Sequence, residues 1–192
     1  CGPINTSVAQ FLTTVWPNTG RLVAFDLDSA RAETFGVELL TRRPGLDFHV
    51  AANLQELLKE CSMVSFGTTA IKPYVDDLEA SPAGATILHV SLRDLTADVV
   101  LSNHNIVDDL DHVNRAATSI HLASEQAGHT NFVHSSLGDL LLGKTTLPQR
   151  DGRKFIFSPF GLGVLALAVA DLVLNTVADE GDGVLVKSFL PA

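Results

Sequence analysis

The sequence predicts an α/β protein built on a Rossmann-like, doubly wound parallel sheet. Three observations carry that expectation. Short strand-like runs alternate with helix-like stretches along most of the 192 residues. The runs lack a polar face, as strands covered on both sides do. The chain also opens on a glycine-bearing turn, Cys1-Gly2-Pro3-Ile4-Asn5, that leads straight into a helix, the arrangement in which helix N-terminal amides take a phosphate.

Taken in order, Val8 to Val15 reads as a first helix stopped by Pro17, and Leu22 to Asp26 as a strand. Asp28 and Ser29 supply a helix cap ahead of Ala30-Arg31-Ala32-Glu33, and the helix runs to Leu40. Phe48 to Ala51 is a short strand, Leu54 to Glu60 a helix, and Met63 to Thr68 a strand ending in small polar residues. The turn cluster Ser81-Pro82-Ala83-Gly84 precedes a strand from Thr86 to Val90. Ile106-Val107 is a further short strand, followed by one helix from Asp111 to about Ala127. Leu137 to Lys144 reads as a short helix and Arg150 to Lys154 as a polar hairpin leading to a strand at Phe155. A long helix from Gly161 to Ala178 and a tail from Gly183 to Pro191 leave the repeat.

On a parallel sheet ligands lie outside the C-terminal strand ends, so interest falls on Asp26, on Thr68-Thr69 and on Ser91 to Asp94. Gly2 and Asp26 are 24 residues apart, close to the ~20 that separate a dinucleotide-binding glycine turn from its ribose-binding acid. An acid there accepts hydrogen bonds from both ribose hydroxyls and repels a 2′-phosphate, which favours NAD over NADP. Arg31 opposes this, because a nearby arginine could neutralise that phosphate. A lone glycine turn is also an ordinary strand-to-helix loop in many proteins. The first glycine of the fingerprint would precede Cys1, as would the strand leading into the turn. The chain is therefore read as the nucleotide-binding part of a longer enzyme.

Composition bounds the partners. With 46% hydrophobic and 18% charged residues the chain is globular. A formal charge of −9 and a pI near 5.1 argue against nucleic acid or an anionic membrane. Cys1 and Cys61 make no disulfide framework; Cys61 reads as a buried free thiol, and the cytoplasm is the default location. Phe155 to Ala170 imitates a membrane span, but its 16 residues contain Pro159, Gly161 and Gly163 and fall short of the ~20 a span needs. A buried strand turning into a buried helix accounts for it better. The seven histidines show neither H-E-x-x-H nor a cysteine partner, so no metal is expected. His89 reads as a satisfied core residue, with His104 or His121 left as a histidine near a substrate.

Five motifs fall in order: Cys-Gly-Pro-Ile-Asn, Val-Ser-Phe-Gly-Thr-Thr, His-Val-Ser-Leu-Arg-Asp-Leu, Leu-Gly-Asp-Leu-Leu-Leu-Gly-Lys and Phe-Ser-Pro-Phe-Gly-Leu-Gly. Together they resemble the ornithine cyclodeaminase/mu-crystallin superfamily over nearly the whole chain, with greatest likeness to its N-(2-amino-2-carboxyethyl)-L-glutamate dehydrogenase branch. That branch makes 2,3-diaminopropionate for siderophores and peptide antibiotics. The resemblance implies NAD as cofactor, an amino-acid substrate, and release of 2-oxoglutarate and L-2,3-diaminopropionate. It implies cofactor contacts at Gly2, Pro3, Ile4, Asn5, Asp26, Thr68, Thr69, Ser91, Phe160 and Gly161. The usual Lys-Ser-x-Gly of the family is Ser-Pro-Phe-Gly here, which leaves a backbone role at Gly161.

Imine hydrolysis calls for a general base, and Asp94 is the candidate. Arg93 alternatively faces the pocket and clamps a substrate carboxylate; a surface ion pair or a helix cap is the plain alternative for both. Residues 1–135 are expected to form the dinucleotide domain, and 136–192 a closing strand, long helix and tail returning toward a substrate and homodimerisation domain outside the chain. Ornithine cyclodeamination, alanine dehydrogenation and non-catalytic cofactor binding remain alternatives.

Overall fold

The computed structural model describes residues 1–180 and 184. Its elements run α1 (Pro3–Val15), β1 (Arg21–Ala24), α2 (Ser29–Arg42), β2 (Asp47–Val50), α3 (Leu54–Glu60), β3 (Met63–Phe66) and β4 (Thr86–His89). Then follow α4 (Ala97–Leu101), β5 (His104–Val107), α5 (Leu110–Val113), α6 (Ser119–Ala127), β6 (Val133–Ser136), α7 (Leu137–Leu141), β7 (Phe155–Ser158) and α8 (Gly163–Glu180). Every strand pairing is parallel, in two sheets ordered β2-β1 and β3-β4-β7-β5-β6. This is the Rossmann-like α/β architecture expected. Two compact units divide the chain, Cys1–Phe160 and Gly161–Ala192.

Local chemistry explains most boundaries. Gly2 caps α1 in an extended conformation and Pro3 takes the first helical position, where its missing N–H costs nothing. The Asp28 carboxylate accepts from the Ala30 amide and starts α2, as the sequence predicts. Asn53 caps α3 through the Glu56 amide. Gly36 lets α2 press on β2: a Cβ there would stand 2.2 Å from the Phe48 ring.

The core is correspondingly divided. Ala9, Ala24, Phe35, Leu39 and Leu46 pack around β1 and β2. A larger cluster, with Leu58, Ile87, Leu95, Val100, Ile120 and Ile156 at its centre, surrounds the five-stranded sheet.

Four expectations need correction. The single helix from Asp111 breaks into α5 and α6, because Ala116 and Ala117 take left-handed backbone angles and Thr118 caps a new helix on the His121 amide. Helix α4 and strand β6 have no counterpart in the sequence reading; both are only four or five residues long and are fixed by packing. The boundary placed after residue 135 falls inside β6, and β7 pairs with both β4 and β5, so the sheet's unit extends to Phe160. The helix after β7, expected to be buried, exposes Val164, Leu165, Leu167, Leu172 and Leu174. Nothing among the described residues covers it. No described helix is long and apolar enough to cross a membrane. The expected tail lies outside the described residues apart from Val184.

Candidate active site at the C-terminal strand ends

The opening turn sits at the C-terminal mouth of the sheets. The Cys1 nitrogen donates to Asp26 Oδ2 at 2.7 Å, just past β1. The Asn5 side chain accepts from Ser65 Oγ of β3 at 2.9 Å and packs on Gly67. The first turn of α1 thus bridges two strand ends. No side chain caps it, so the Ile4 and Asn5 amides keep the unpaired donor character of a helix start. Space lies open beside Gly2, where a Cβ would meet nothing within 4 Å. Such a turn fits a pyrophosphate through main-chain donors. Pro3 presets the helix, the exposed Ile4 flanks the turn, and Asn5 spends its side-chain oxygen on holding α1 to β3.

Asp26 is mostly buried at the mouth and also accepts from the Asp28 amide at 3.1 Å. Burial pushes its carboxyl up, but the Cys1 amino group, the Asp28 amide and the Arg31 charge together hold it below its ordinary value. It is an anion in neutral solution, as binding a ribose diol requires. Arg31 acts on it through its charge, and helix capping falls to Asp28 instead.

The second cluster is built around Asp94, which is fully buried. Its carboxylate receives Thr68 Oγ1 from the end of β3 and Ser91 Oγ from the end of β4. His89 Nε2 lies 3.3 Å from that carboxylate and 3.1 Å from the Asp94 amide. The His89 Nδ1 is 3.1 Å from Ser158 Oγ at the end of β7. Backbone links complete the knot: the Asp94 carbonyl accepts from the Tyr74 and Val75 amides, both at 2.9 Å. Burial raises the Asp94 carboxyl, yet hydrogen bonds from His89, Ser91 and Thr68 outweigh it and bring it down to about 2. Burial and the Asp94 charge push the Tyr74 phenol well above its usual range. Asp94 therefore ties together the ends of β3, β4 and β7.

Arg93 points elsewhere. Its Nε and Nη2 donate to the carbonyls of Ala117 (2.9 Å) and Ala116 (2.6 Å), holding the left-handed pair between α5 and α6. Leu92 beside it takes φ 67°, a conformation costly for a branched side chain. Thr69 is exposed, and the Thr68 hydroxyl also accepts from the Ala70 amide at 3.2 Å. Phe160 is 39% exposed, two residues past β7. Gly161 has φ 98°, which only glycine adopts readily.

Sequence reasoning places Asp26, Thr68, Ser91 and Asp94 but misses Ser158 and Tyr74 as members of the Asp94 cluster. No local signal marks either; they arrive from β7 and from the loop after β3. His89 is the satisfied core histidine expected. His104 is buried, stacks on Phe155 with ring centres 5.1 Å apart and meets Asp151 at 3.0 Å. His121 lies 3.6 Å from Glu125. Cys61 is a half-buried free thiol, raised above its ordinary value by burial.

Among the described residues, His49, Glu56 and Glu60 place possible metal-ligating atoms within 4.8 Å of one another. Those atoms already serve protein partners. His49 meets Glu56 at 3.1 Å, Glu56 takes the Ala52 amide, and Glu60 pairs with Arg21 at 2.5 Å.

No protein-family model and no curated protein matches the chain. Solved structures do. A Δ1-pyrroline-2-carboxylate reductase from Thermococcus litoralis, in complex with NADH and L-proline, is 19% identical with a TM-score of 0.83, over 93% of this chain and 57% of its own. The protein CmnK is 27% identical with a TM-score of 0.83, over all of this chain and 56% of its own. An archaeal alanine dehydrogenase dimer with bound NAD is 23% identical with a TM-score of 0.75, over 88% of this chain and 53% of its own. These neighbours belong to the ornithine cyclodeaminase/mu-crystallin superfamily. The chain shares their fold and spans between 53% and 57% of their length.

Proposed function

We propose that the chain is the nucleotide-binding portion of an NAD-dependent amino-acid dehydrogenase of this superfamily. The observation that carries the reading is the meeting of two features at one sheet mouth. The uncapped α1 start fits a pyrophosphate and the ionised Asp26 fits a ribose diol, and they are joined through the 2.7 Å contact between Cys1 and Asp26. Ile4 and Asn5 offer main-chain amides, Gly2 leaves room for close approach, and Asp26 favours NAD over NADP. Thr68, Thr69, Ser91, Phe160 and Gly161 are assigned to the remaining cofactor contacts. NAD supplies the hydride acceptor. Neighbours of the same fold are described with NADH or NAD bound, which supports the choice.

The substrate we propose is N-(2-amino-2-carboxyethyl)-L-glutamate. With NAD⁺ and one water it yields NADH, a proton, 2-oxoglutarate and L-2,3-diaminopropionate, a product suited to siderophore or peptide-antibiotic assembly. The motif resemblance supports this particular amine. Within the reading, Asp94 is a positioning residue that fixes the β3, β4 and β7 ends; a buried carboxyl held near 2 accepts protons poorly at neutral pH. Arg93 fixes the Ala116-Ala117 turn. Substrate-carboxylate ligands, the proton-transferring base and a homodimer interface are assigned to the remainder of the protein.

The test is a stoichiometric assay on the whole protein with this substrate and NAD, with ornithine and alanine alongside. Equal amounts of NADH and 2-oxoglutarate are expected. Ammonia and proline from ornithine, without 2-oxoglutarate from the conjugate, would replace this substrate with a cyclodeaminase one. NADH and pyruvate from alanine would give an alanine dehydrogenase.

A further inference from the structure

The two sheets are separated by a cavity of about 670 Å³, bounded by β1 on one bank and β3 on the other. We propose that this slot is a strand-acceptor site. In the whole protein it holds one extended segment of about five residues, parallel to both banks and leading directly into Cys1.

The banks are unpaired sheet edges. Among the described residues β1 pairs only with β2, and β3 only with β4. On β1 the Gly20 and Ala24 carbonyls accept from Asp47 and Ala51, at 2.9 and 2.8 Å on the β2 side. Alternation along a strand then turns the peptide groups of Arg21 and Val23 toward the slot. On β3 the Ser62 and Phe66 carbonyls accept from Thr86 and Ser91, at 2.9 and 3.0 Å on the β4 side, so Met63 and Ser65 face the slot. Two facing rows of unpaired N–H and C=O groups are a template for a strand.

The shape and lining suit one strand. Adjacent strands lie ~4.8 Å apart, a covered sheet layer is ~10 Å thick, and five residues extend ~17 Å, together roughly 800 Å³. A helix, ~10 Å across, would not fit between two such edges. Val8 and Leu12 of α1 and Leu57 of α3 line the space, so the segment should be apolar on both faces. The division of the core into two clusters follows the same line, and a strand of this kind would join them.

Direction and register come from Cys1. Its nitrogen lies 2.7 Å from Asp26 and its sulfur 3.7 Å from the Phe25 carbonyl, at the C-terminal end of β1. Cys1 also lines the slot. A segment reaching Cys1 from within it therefore runs the same way as β1 and β3, with its second residue before Cys1 beside Val23. Solved neighbours extend well beyond the share of their length matched here, so chain is available in such proteins.

Amide hydrogen exchange on the whole protein tests the site without cofactor or substrate, and so separately from the reaction proposed above. Val23 and Ser65 should exchange within ~10-fold of Leu22 and Val64, whose peptide groups pair inside the sheets; open edges would exchange at least ~10³-fold faster. Fast exchange at Val23 and Ser65 overturns the proposal. Proline at the second residue before Cys1 should restore fast exchange at those two amides, and unchanged protection there overturns the assigned occupant. Should that variant not fold, a cysteine at the same position with Val23→Cys, in a Cys1→Ser, Cys61→Ser background, gives the same reading. An intrachain disulfide supports the proposal and a disulfide between two copies overturns it.

Discussion

Replacing Asp94 by Asn separates anchoring from proton transfer. The carboxylate is fully buried and receives Thr68, Ser91 and His89. Its carboxyl sits at about 2 against an ordinary 3.8. At about 1.36 kcal/mol per pH unit this favours the ionised folded state by about 2 kcal/mol. Because the folded value is depressed, that stability is fully present above pH ~4 and is lost as the pH falls toward 2. Asp94→Asn in the whole protein should therefore lose about 2 kcal/mol at pH 7, the difference shrinking toward zero near pH 2. Urea unfolding of both proteins at several pH values between 7 and 2.5 measures it. A difference that stays constant over that range would refute the electrostatic argument. A variant as stable as its parent at pH 7 but slower by ~10²–10⁴ in turnover would return Asp94 to the role of general base.

Asp26→Ser in the whole protein should weaken NADH binding by about 10- to 100-fold, from the loss of charge-assisted hydrogen bonds, and narrow the preference over NADPH. NADH fluorescence titration checks this, and equal affinities in the unsubstituted protein would shift the assignment toward Arg31. Gly36→Ala puts a methyl group 2.2 Å from the Phe48 ring. Overpacking of about 1–3 kcal/mol, less about 1 kcal/mol gained in helix propensity, lowers Tm by about 3–6 °C; an unchanged or raised Tm in a thermal melt would mean that Phe48 swings aside freely. Chelation with EDTA should leave Tm unchanged. A fall in Tm that zinc restores would assign a metal to His49, Glu56 and Glu60.

The β/α alternation, the helix caps and the parallel class were legible in the chain because each rests on local chemistry. Asp28 caps α2 wherever the helix lies, and a strand without a polar face has to be covered on both sides. Asp26 and Thr68 were legible for a related reason: a strand end is a local feature, and the fold class says which end binds. The tertiary structure alone decided what Asp94 and Arg93 touch. Neighbouring in sequence, they diverge at the left-handed Leu92, one buried among groups from β3, β4 and β7, the other bound to the Ala116-Ala117 turn. That turn, which splits the predicted helix in two, is held by Arg93 from 23 and 24 residues away. The separation of β1 from β3 likewise appears in no local pattern, because strand order is set by which edges meet after the chain has crossed over. Short-range propensities and caps act within a few residues and can be read along the sequence, whereas hydrogen-bond partners joined by burial exist only once distant strands share a core.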